Sequence, residues 1–347
     1  MPQPVAPEAL RNFIASLFMA QGSSQAQAAS AARHMVWCEM VGRQNFGLER
    51  LAIHLKRIEA GVLTPQRDAT VEAISPSIAR IDGRGGFGYH AAERAMEHAI
   101  ALARVTGVGV VGVRNSNFFG AGSYYVNMAA EASMIGLAMS NSFPKVTAHG
   151  GLRPVLGTNP FAFGAPGRNG MQLLFDMATS SLAGSTVREH IAKGKPLPEG
   201  LAIDAAGRPI TDPAKVNQGA LLPLAGPKGF GLSLMVETLA GIITGAGVGD
   251  GVASMYNDFT RAGDNGHFLM ALDVARWMDL DNYHARFEGL VSAIKASGDG
   301  ILLPGEVRWE NYRESLANGV VLDKRTAETV ASIAAQVELK PPWARSS

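Results

Sequence analysis

Apolar positions recur at helical spacing through the first sixty residues, then give way to short alternating runs. "PEALRNFIASLFMAQG" and "SSQAQAASAARHMVWCEMVG" read as two helices, with Ser24 placed to cap the second and Gly42 to end it. "ATVEAISPSIARIDGRG" alternates and then turns, which predicts strands. Residues 89–107 form an amphipathic helix closed by Gly107, followed by a buried strand in "GVGVVGVRNS". "GSYYVNMAAEASM" is helical, "IGLAMSNS" is a strand, and "HFLMALDV" (267–274) is another. "LPLAGPKGFGLSLMVETLAGIITGAG" is a glycine-entered helix of almost wholly apolar body, so a central place is expected for it. Residues 307–339 return to helix. The pattern predicts an α+β chain in which residues 1–70 and 300–347 form one helical lobe around a β-rich segment, 71–299.

Composition narrows the function classes. Lys and Arg total 31 against 30 Asp and Glu, so no bulk charge draws the chain to nucleic acid or an anionic membrane. No uninterrupted apolar stretch is long enough to cross a bilayer. "MPQPVAPEALRNF" lacks the basic and apolar regions of a secretory leader, and one cysteine, Cys38, suits a reducing compartment. A cytoplasmic protein is therefore expected. The eight histidines are scattered, with neither HxxxH nor CxxC, so no metal site is expected. The 40 glycines cluster in "DGRGGFGY", "FFGAGSYY", "AHGG" and "AGPKGFGLS" without collagen period, as in enzymes whose backbone approaches a ligand.

"GVGVVG" (107–112) matches the letters of a dinucleotide fingerprint and fails its context, because these glycines begin a strand instead of ending one. A Rossmann fold is excluded on that ground. Over nearly its whole length the chain resembles instead the malate/L-lactate dehydrogenase type II family, NAD(P)-dependent oxidoreductases of 2-hydroxy and imino acids. The resemblance rests on "VRNSNFFGAGSYY", "IGLAMSNSFPKVTAHGG", "VLGTNPFAFGAP", "FDMATS", "DAAGRPITDP", "LPLAGPKGFGLSLMVETLAGIITGA" and "LLPGE", in family order. It implies a non-Rossmann, largely antiparallel cofactor-binding sheet in 71–299, a helical lobe from both termini, NAD or NADP as cofactor, a small carboxylate substrate, and a homodimer.

The resemblance also implies roles. Ser140, Asn141, the segment Asp176, Met177, Ala178, Thr179 and Ser180, and the turn Pro304, Gly305, Glu306 would contact cofactor. Lys228 would meet phosphate or ribose, which suits a cation at the mouth of a glycine-entered helix. "LGTNP" (156–160) reads as a fixed turn, since Asn before Pro favours one. Arg50 would clamp the substrate carboxylate, because a guanidinium offers two parallel hydrogen bonds. Asn45, Asn117, Phe46 and Phe118 would line the same pocket.

Here the chain departs from the family. The family's Ser-His-Gly reads Asn45-Phe46-Gly47, and its Asn-His-Phe-Gly reads Asn117-Phe118-Phe119-Gly120. Both imidazoles are replaced by phenyl rings. Reduction of a ketone needs a proton, and a positioned acid contributes about 10²- to 10⁴-fold. Three readings stay open. Another group supplies the proton, with His149 first, then His54 or Tyr124, and His267 behind them. Alternatively the substrate is a protonated imine that brings its own proton, stabilised by aromatic faces at about 0.5–2 kcal/mol. Or the scaffold binds a nucleotide or small acid without hydride transfer.

Overall fold

The computed structural model describes residues 3–344. Helices α1 (Pro7–Ala20), α2 (Gln25–Met40) and α3 (Leu51–Glu59) come first. Ser24 caps α2 as expected, accepting the Gln27 N–H. Strands β1 (Thr70–Ser75) and β2 (Ile78–Asp82) follow, then α4 (Gly88–Thr106), β3 (Val108–Ser116), α5 (Gly122–Glu131) and β4 (Met134–Ser140). Gly107 ends α4 with φ +89°, a left-handed conformation that suits glycine. The middle of the chain carries β5 (Val146–Thr147), β6 (Pro154–Leu156), β7 (Phe161–Ala165), β8 (Leu173–Met177), α6 (Gly184–Lys193), β9 (Ala202–Ile203) and β10 (Ala220–Leu221). It closes with α7 (Pro227–Val236), β11 (Asn265–Asp273), α8 (Leu280–Ala296), α9 (Glu306–Asn318) and α10 (Lys324–Ala335).

Seven strands form the main sheet in the order β1-β2-β3-β11-β4-β7-β8, antiparallel throughout except for the parallel pair β2–β3. The fold is thus mixed α/β and largely antiparallel, as the resemblance implied. Helices α4 and α5 pack their alanine-rich faces on this sheet, around Ala95, Ala99, Val111, Val113, Tyr125 and Leu269. This packing accounts for two of the "GVGVVG" glycines. A Cβ at Gly109 would run into the Ala99 carbonyl of α4, and one at Gly112, on the opposite sheet face, would press on Thr244. They are spacers between layers.

The terminal helices share a second core through Leu10, Ile14, Phe18, Met35, Leu51, Val330 and Ala334. Val5 and Val320 exchange backbone hydrogen bonds of 3.0 and 2.8 Å that join the two ends. A four-stranded sheet, β6-β5-β10-β9, carries its own cluster of Val146, Leu182, Leu197, Ile210 and Leu221, which the sequence pattern did not separate from the rest.

One expectation needs correcting. The apolar run through α7 is not central. Val236 and Ala240 are buried against Met139 and Phe268, whereas Leu234, Ile242 and Ile243 are exposed. The helix also changes pitch, becoming a π-helix at Glu237–Ile242. Its buried stripe is narrow, and the rest of its apolar surface faces outward.

Candidate active site

Between α2 and α3 the chain makes two 3₁₀ turns, Gln44–Phe46 and Leu48–Arg50, hinged at Gly47. A Cβ at the hinge would press on the Glu39 carboxyl group and displace it. That carboxyl accepts the Leu48 N–H at 2.7 Å. Burial raises its pKa to about 8, so at neutral pH it is an uncharged acceptor. Glu39 therefore fixes the turn that presents Phe46 and Arg50.

Phe46 stacks on Phe118, centroids 6.2 Å apart and planes 13° from parallel. Both rings are partly exposed, and they form one apolar wall. The Arg50 Nε donates to the Asn45 carbonyl at 2.7 Å, which orients the guanidinium and leaves its two terminal nitrogens for a ligand. No carboxylate among the described residues lies within ion-pair distance of it. Its Cζ sits 5.6 Å from the centre of the Tyr256 ring. The loop carrying Tyr256 is held by buried Arg57, which donates to the carbonyls of Asp258 (2.7 Å), Ser254 and Arg261.

The proposed proton donors are placed apart from one another. His54 is buried behind Phe118 at 6.2 Å and shares a 2.9 Å hydrogen bond with the Tyr89 hydroxyl. Burial, then the charges of Arg50 and Arg57, lowers its pKa to about 3. His54 is thus neutral at pH 7 and holds no ammonium-like proton to give. The Tyr124 hydroxyl donates to Glu93, which is also gripped by Arg33, so this phenol serves a separate polar cluster. That corrects its expected role. His267 is structural as well, since its ring nitrogens meet the hydroxyls of Ser140 at 2.9 Å and Ser116 at 2.8 Å, across three strands. His149 is exposed in the turn after β5, beside Gly226 at the entrance of α7, on the side of Lys228.

Several expected contact residues are consumed by the fold. The Asn117 side chain donates to the carbonyls of Gly85 and Gly86 and accepts the Gly263 N–H, which leaves nothing for substrate. Buried Asn141 donates to Glu237 and Gly247 and accepts the Gly266 N–H, while the Ser140 hydroxyl donates to the Asn141 carbonyl. Thr179 donates to the carbonyls of Thr158 and Asn159, and Ser180 to Leu182. Glu306 accepts from Lys295 (2.6 Å) and from the Leu303 N–H (2.9 Å), and the Pro304 carbonyl accepts from Leu174. Gly305, at φ +105°, packs against β8. These side chains shape the loops. Asp176, Met177 and Ala178 remain partly exposed at the end of β8, with Asp176 accepting the Ser123 N–H at the start of α5.

Sequence reasoning passed over Glu39, Tyr256 and the network around Glu237. Glu237 is a buried carboxylate that receives three donors, Asn141, Asn159 and the Gly249 N–H. A lone acid inside the apolar run "SLMVETLAG" was the signal for it.

The family model for malate/L-lactate dehydrogenase matches residues 5–331. The chain belongs to this family. It is 38% identical over 301 residues to the L-sulfolactate dehydrogenase of Methanothermobacter thermautotrophicus, covering 87% of each chain. It is 38% identical over 258 residues to the NAD(+) ureidoglycolate dehydrogenase of Escherichia coli K12, covering 74% of this chain and 73% of that one. The solved sulfolactate dehydrogenase of Methanocaldococcus jannaschii superposes with a TM-score of 0.89 at 32% identity, over 97% of this chain and 98% of the other. This family member is accordingly an NAD(P)-dependent oxidoreductase. The residues present fit that cofactor. Lys228 is an exposed cation in the first turn of α7, whose start no side chain caps, and Ser123 leaves a buried hydroxyl without a partner beside Asp176.

Proposed function

We propose that the chain transfers hydride to or from a small 2-keto or 2-hydroxy acid whose carboxylate is held by Arg50, with the helical lobe (1–70 and 300–347) closing over the cofactor and substrate segment (71–299). The observation that supports this reading is the Arg50 guanidinium, oriented by the Asn45 carbonyl and without a carboxylate partner among the described residues, on the same 3₁₀ segment as Phe46, which stacks on Phe118. When bound, the dihydronicotinamide supplies the hydride. Lys228 and the backbone around Asp176 hold its phosphate and ribose groups, Arg50 orients the acid, and the two rings keep water from the reacting carbon. The phenyl wall donates no proton, so the oxygen of a reduced ketone takes one from a group other than Phe46 and Phe118.

The Phe46–Phe118 pair also favours a second reading, reduction of a protonated 2-imino acid, which arrives with its proton and is stabilised by aromatic faces. A homodimer in the cytoplasm completes the proposal. The exposed Leu234, Ile242 and Ile243 are an apolar surface for a second copy, and buried Cys38 suits a reducing compartment. Light scattering should give twice the 36.5 kDa chain mass.

The test is a titration with NADH and NADPH followed by nicotinamide fluorescence, then initial rates with pyruvate, oxaloacetate and a cyclic 2-imino acid. Saturable binding of a cofactor and turnover of one class is expected. Arg50→Ala should raise KM about 10²-fold, the value of a lost charge-assisted pair, without changing cofactor affinity. Absence of turnover with every acid would refute the proposal, and a loss of cofactor affinity in Arg50→Ala would remove Arg50 from the substrate side.

A further inference from the structure

Arg50 packs against a phenol. Its Cζ lies 5.6 Å from the centre of the Tyr256 ring, and the Nζ of Lys145, on the loop after β4, lies 6.0 Å from the same centre. Phe143 meets this ring edge to face at 6.0 Å. The backbone beneath the ring is fixed. The Ser254 hydroxyl accepts the N–H groups of Tyr256 and Asn257, both at 3.3 Å, and Arg57 grips the carbonyls of Ser254 and Asp258. The Tyr256 hydroxyl has no partner among the described residues, and the residue is 38% exposed, so its phenol can meet both a ligand and water. Lys145 pairs with no carboxylate among the described residues and donates to the neutral Asn217 side-chain oxygen at 3.3 Å. Other acids are engaged or distant. His54, Tyr124 and His267 are hydrogen-bonded within the fold, His149 lies beside Gly226, and Glu49 faces Arg188 at 3.8 Å.

We infer that the Tyr256 phenol is the proton donor to the substrate oxygen, the role that Phe46 and Phe118 cannot fill. The inference rests on the hydride-transfer reading above and names a catalytic residue for that same site. In a 2-keto acid the carbonyl carbon is bonded directly to the carboxylate. With the carboxylate on the terminal nitrogens of Arg50, the keto oxygen therefore comes close to the ring that packs on the same guanidinium. Hydride adds to the carbonyl carbon, the C=O π pair moves onto oxygen, and that oxygen takes the phenol proton. The ketone is reduced, the dihydronicotinamide is oxidised, and the phenolate left behind regains a proton from solvent. Arg50 and Lys145 stabilise the negative charge while the phenolate carries it, as fixed cations beside a developing charge do. Arg57 is a positioning residue here, because its grip on residues 254 and 258 sets where the ring stands. A protonated imine brings its own proton and needs no such donor, so the two substrate classes separate proton donation from simple packing.

The experiment measures kcat and KM for pyruvate, oxaloacetate and a cyclic 2-imino acid in wild type, Tyr256→Phe, Tyr256→His and Lys145→Gln. Thermal melting and nicotinamide fluorescence titration are the controls. Tyr256→Phe should lower kcat for keto acids by about 10²- to 10⁴-fold, with KM, cofactor affinity, melting and imine reduction unchanged. Tyr256→His should recover part of the loss, and Lys145→Gln should lose less than Tyr256→Phe. An unchanged kcat in Tyr256→Phe overturns the inference and leaves the dehydrogenase reading intact. So does an equal loss with keto acid and imine, or a loss accompanied by a raised KM, since either marks a packing role. A loss in Lys145→Gln as large as in Tyr256→Phe makes the ammonium the donor, and a wild type that reduces the imine alone has no competent acid; both overturn it. If nothing is reduced with either cofactor, the hydride-transfer reading fails instead, and calorimetry with lactate and propionate, which differ by the 2-hydroxyl, decides the phenol contact. Lactate binding tighter by about 3- to 10-fold and dependent on Tyr256 upholds that contact, and equal binding overturns it.

Discussion

Replacing Glu39 by Gln should stabilise the protein at neutral pH, although it alters a buried group at the edge of the site. The carboxyl of Glu39 is 7% exposed and its pKa rises to about 8 from an ordinary 4.5. Below 4.5 it is protonated both folded and unfolded. Between 4.5 and 8 the unfolded chain ionises while the fold keeps its proton, so stability falls as pH rises through that window. At pH 7 the cost is about 3 kcal/mol at 1.36 kcal/mol per unit. Gln keeps the volume and the carbonyl that accepts the Leu48 N–H, and removes the titration. Urea unfolding at pH 5 and pH 7.5 measures the difference, and Glu39→Gln should gain about 2–4 kcal/mol on wild type between the two. An equal effect at both pH values, or a loss at pH 7.5, would show that Glu39 stays ionised in the fold and that the account of the turn is wrong.

His34, His54 and His267 carry the opposite dependence. Each is buried with a pKa near 3. Their stabilisation is complete above about 6.5 and lost as pH falls toward 3, at up to about 2 kcal/mol each by pH 5. Wild type should lose stability on acidification below pH 6.5, and His267→Asn should flatten part of that slope in the same urea assay. Arg57→Leu should lower stability by about 2–3 kcal/mol, leaving carbonyls unpaired, and should open residues 254–261 to limited proteolysis; an unchanged cleavage pattern would argue that another contact holds the loop. Phe118→His should raise keto-acid reduction by about 10-fold or more below pH 6.5 if the phenyl wall is what withholds a proton. An unaltered pH–rate profile would place the reacting carbon elsewhere.

The sequence shows the elements well and the site in part, for separable reasons. Helix α4 with Gly107, strand β3 and the β1–β2 pair are legible because period and terminators agree. Phe46, Arg50 and Phe118 are legible because the motif around them is local. Tyr256 lies some two hundred residues along the chain from Arg50 and Arg57 and meets them only through the fold, so nothing in its own neighbourhood announces it. Tyr124, Asn117 and His267 carry side chains suited to catalysis, and their partners Glu93, Gly263 and Ser116 lie far away in the chain, which hides that they are already engaged. The apolar run of α7 misleads because hydropathy alone does not distinguish a core helix from one that turns half its surface outward.

The π-helix at Glu237–Ile242 gives this part of the protein a spare residue that an ordinary helix lacks. A π turn holds one residue more than an α turn, and each helical residue advances the direction of a side chain by about 100°. Because the extra residue is taken up inside one turn, deleting a single residue there would let the helix run through as ordinary α with its two sides still in phase, whereas a deletion in the α part, Pro227–Val236, would rotate everything upstream by roughly that angle against everything downstream. In that α part, either Lys228 would swing off its place at the start of α7, or Glu237 would leave Asn141 and Asn159. A one-residue deletion after Glu237, within the π turn, should therefore do less damage than one a turn earlier in α7.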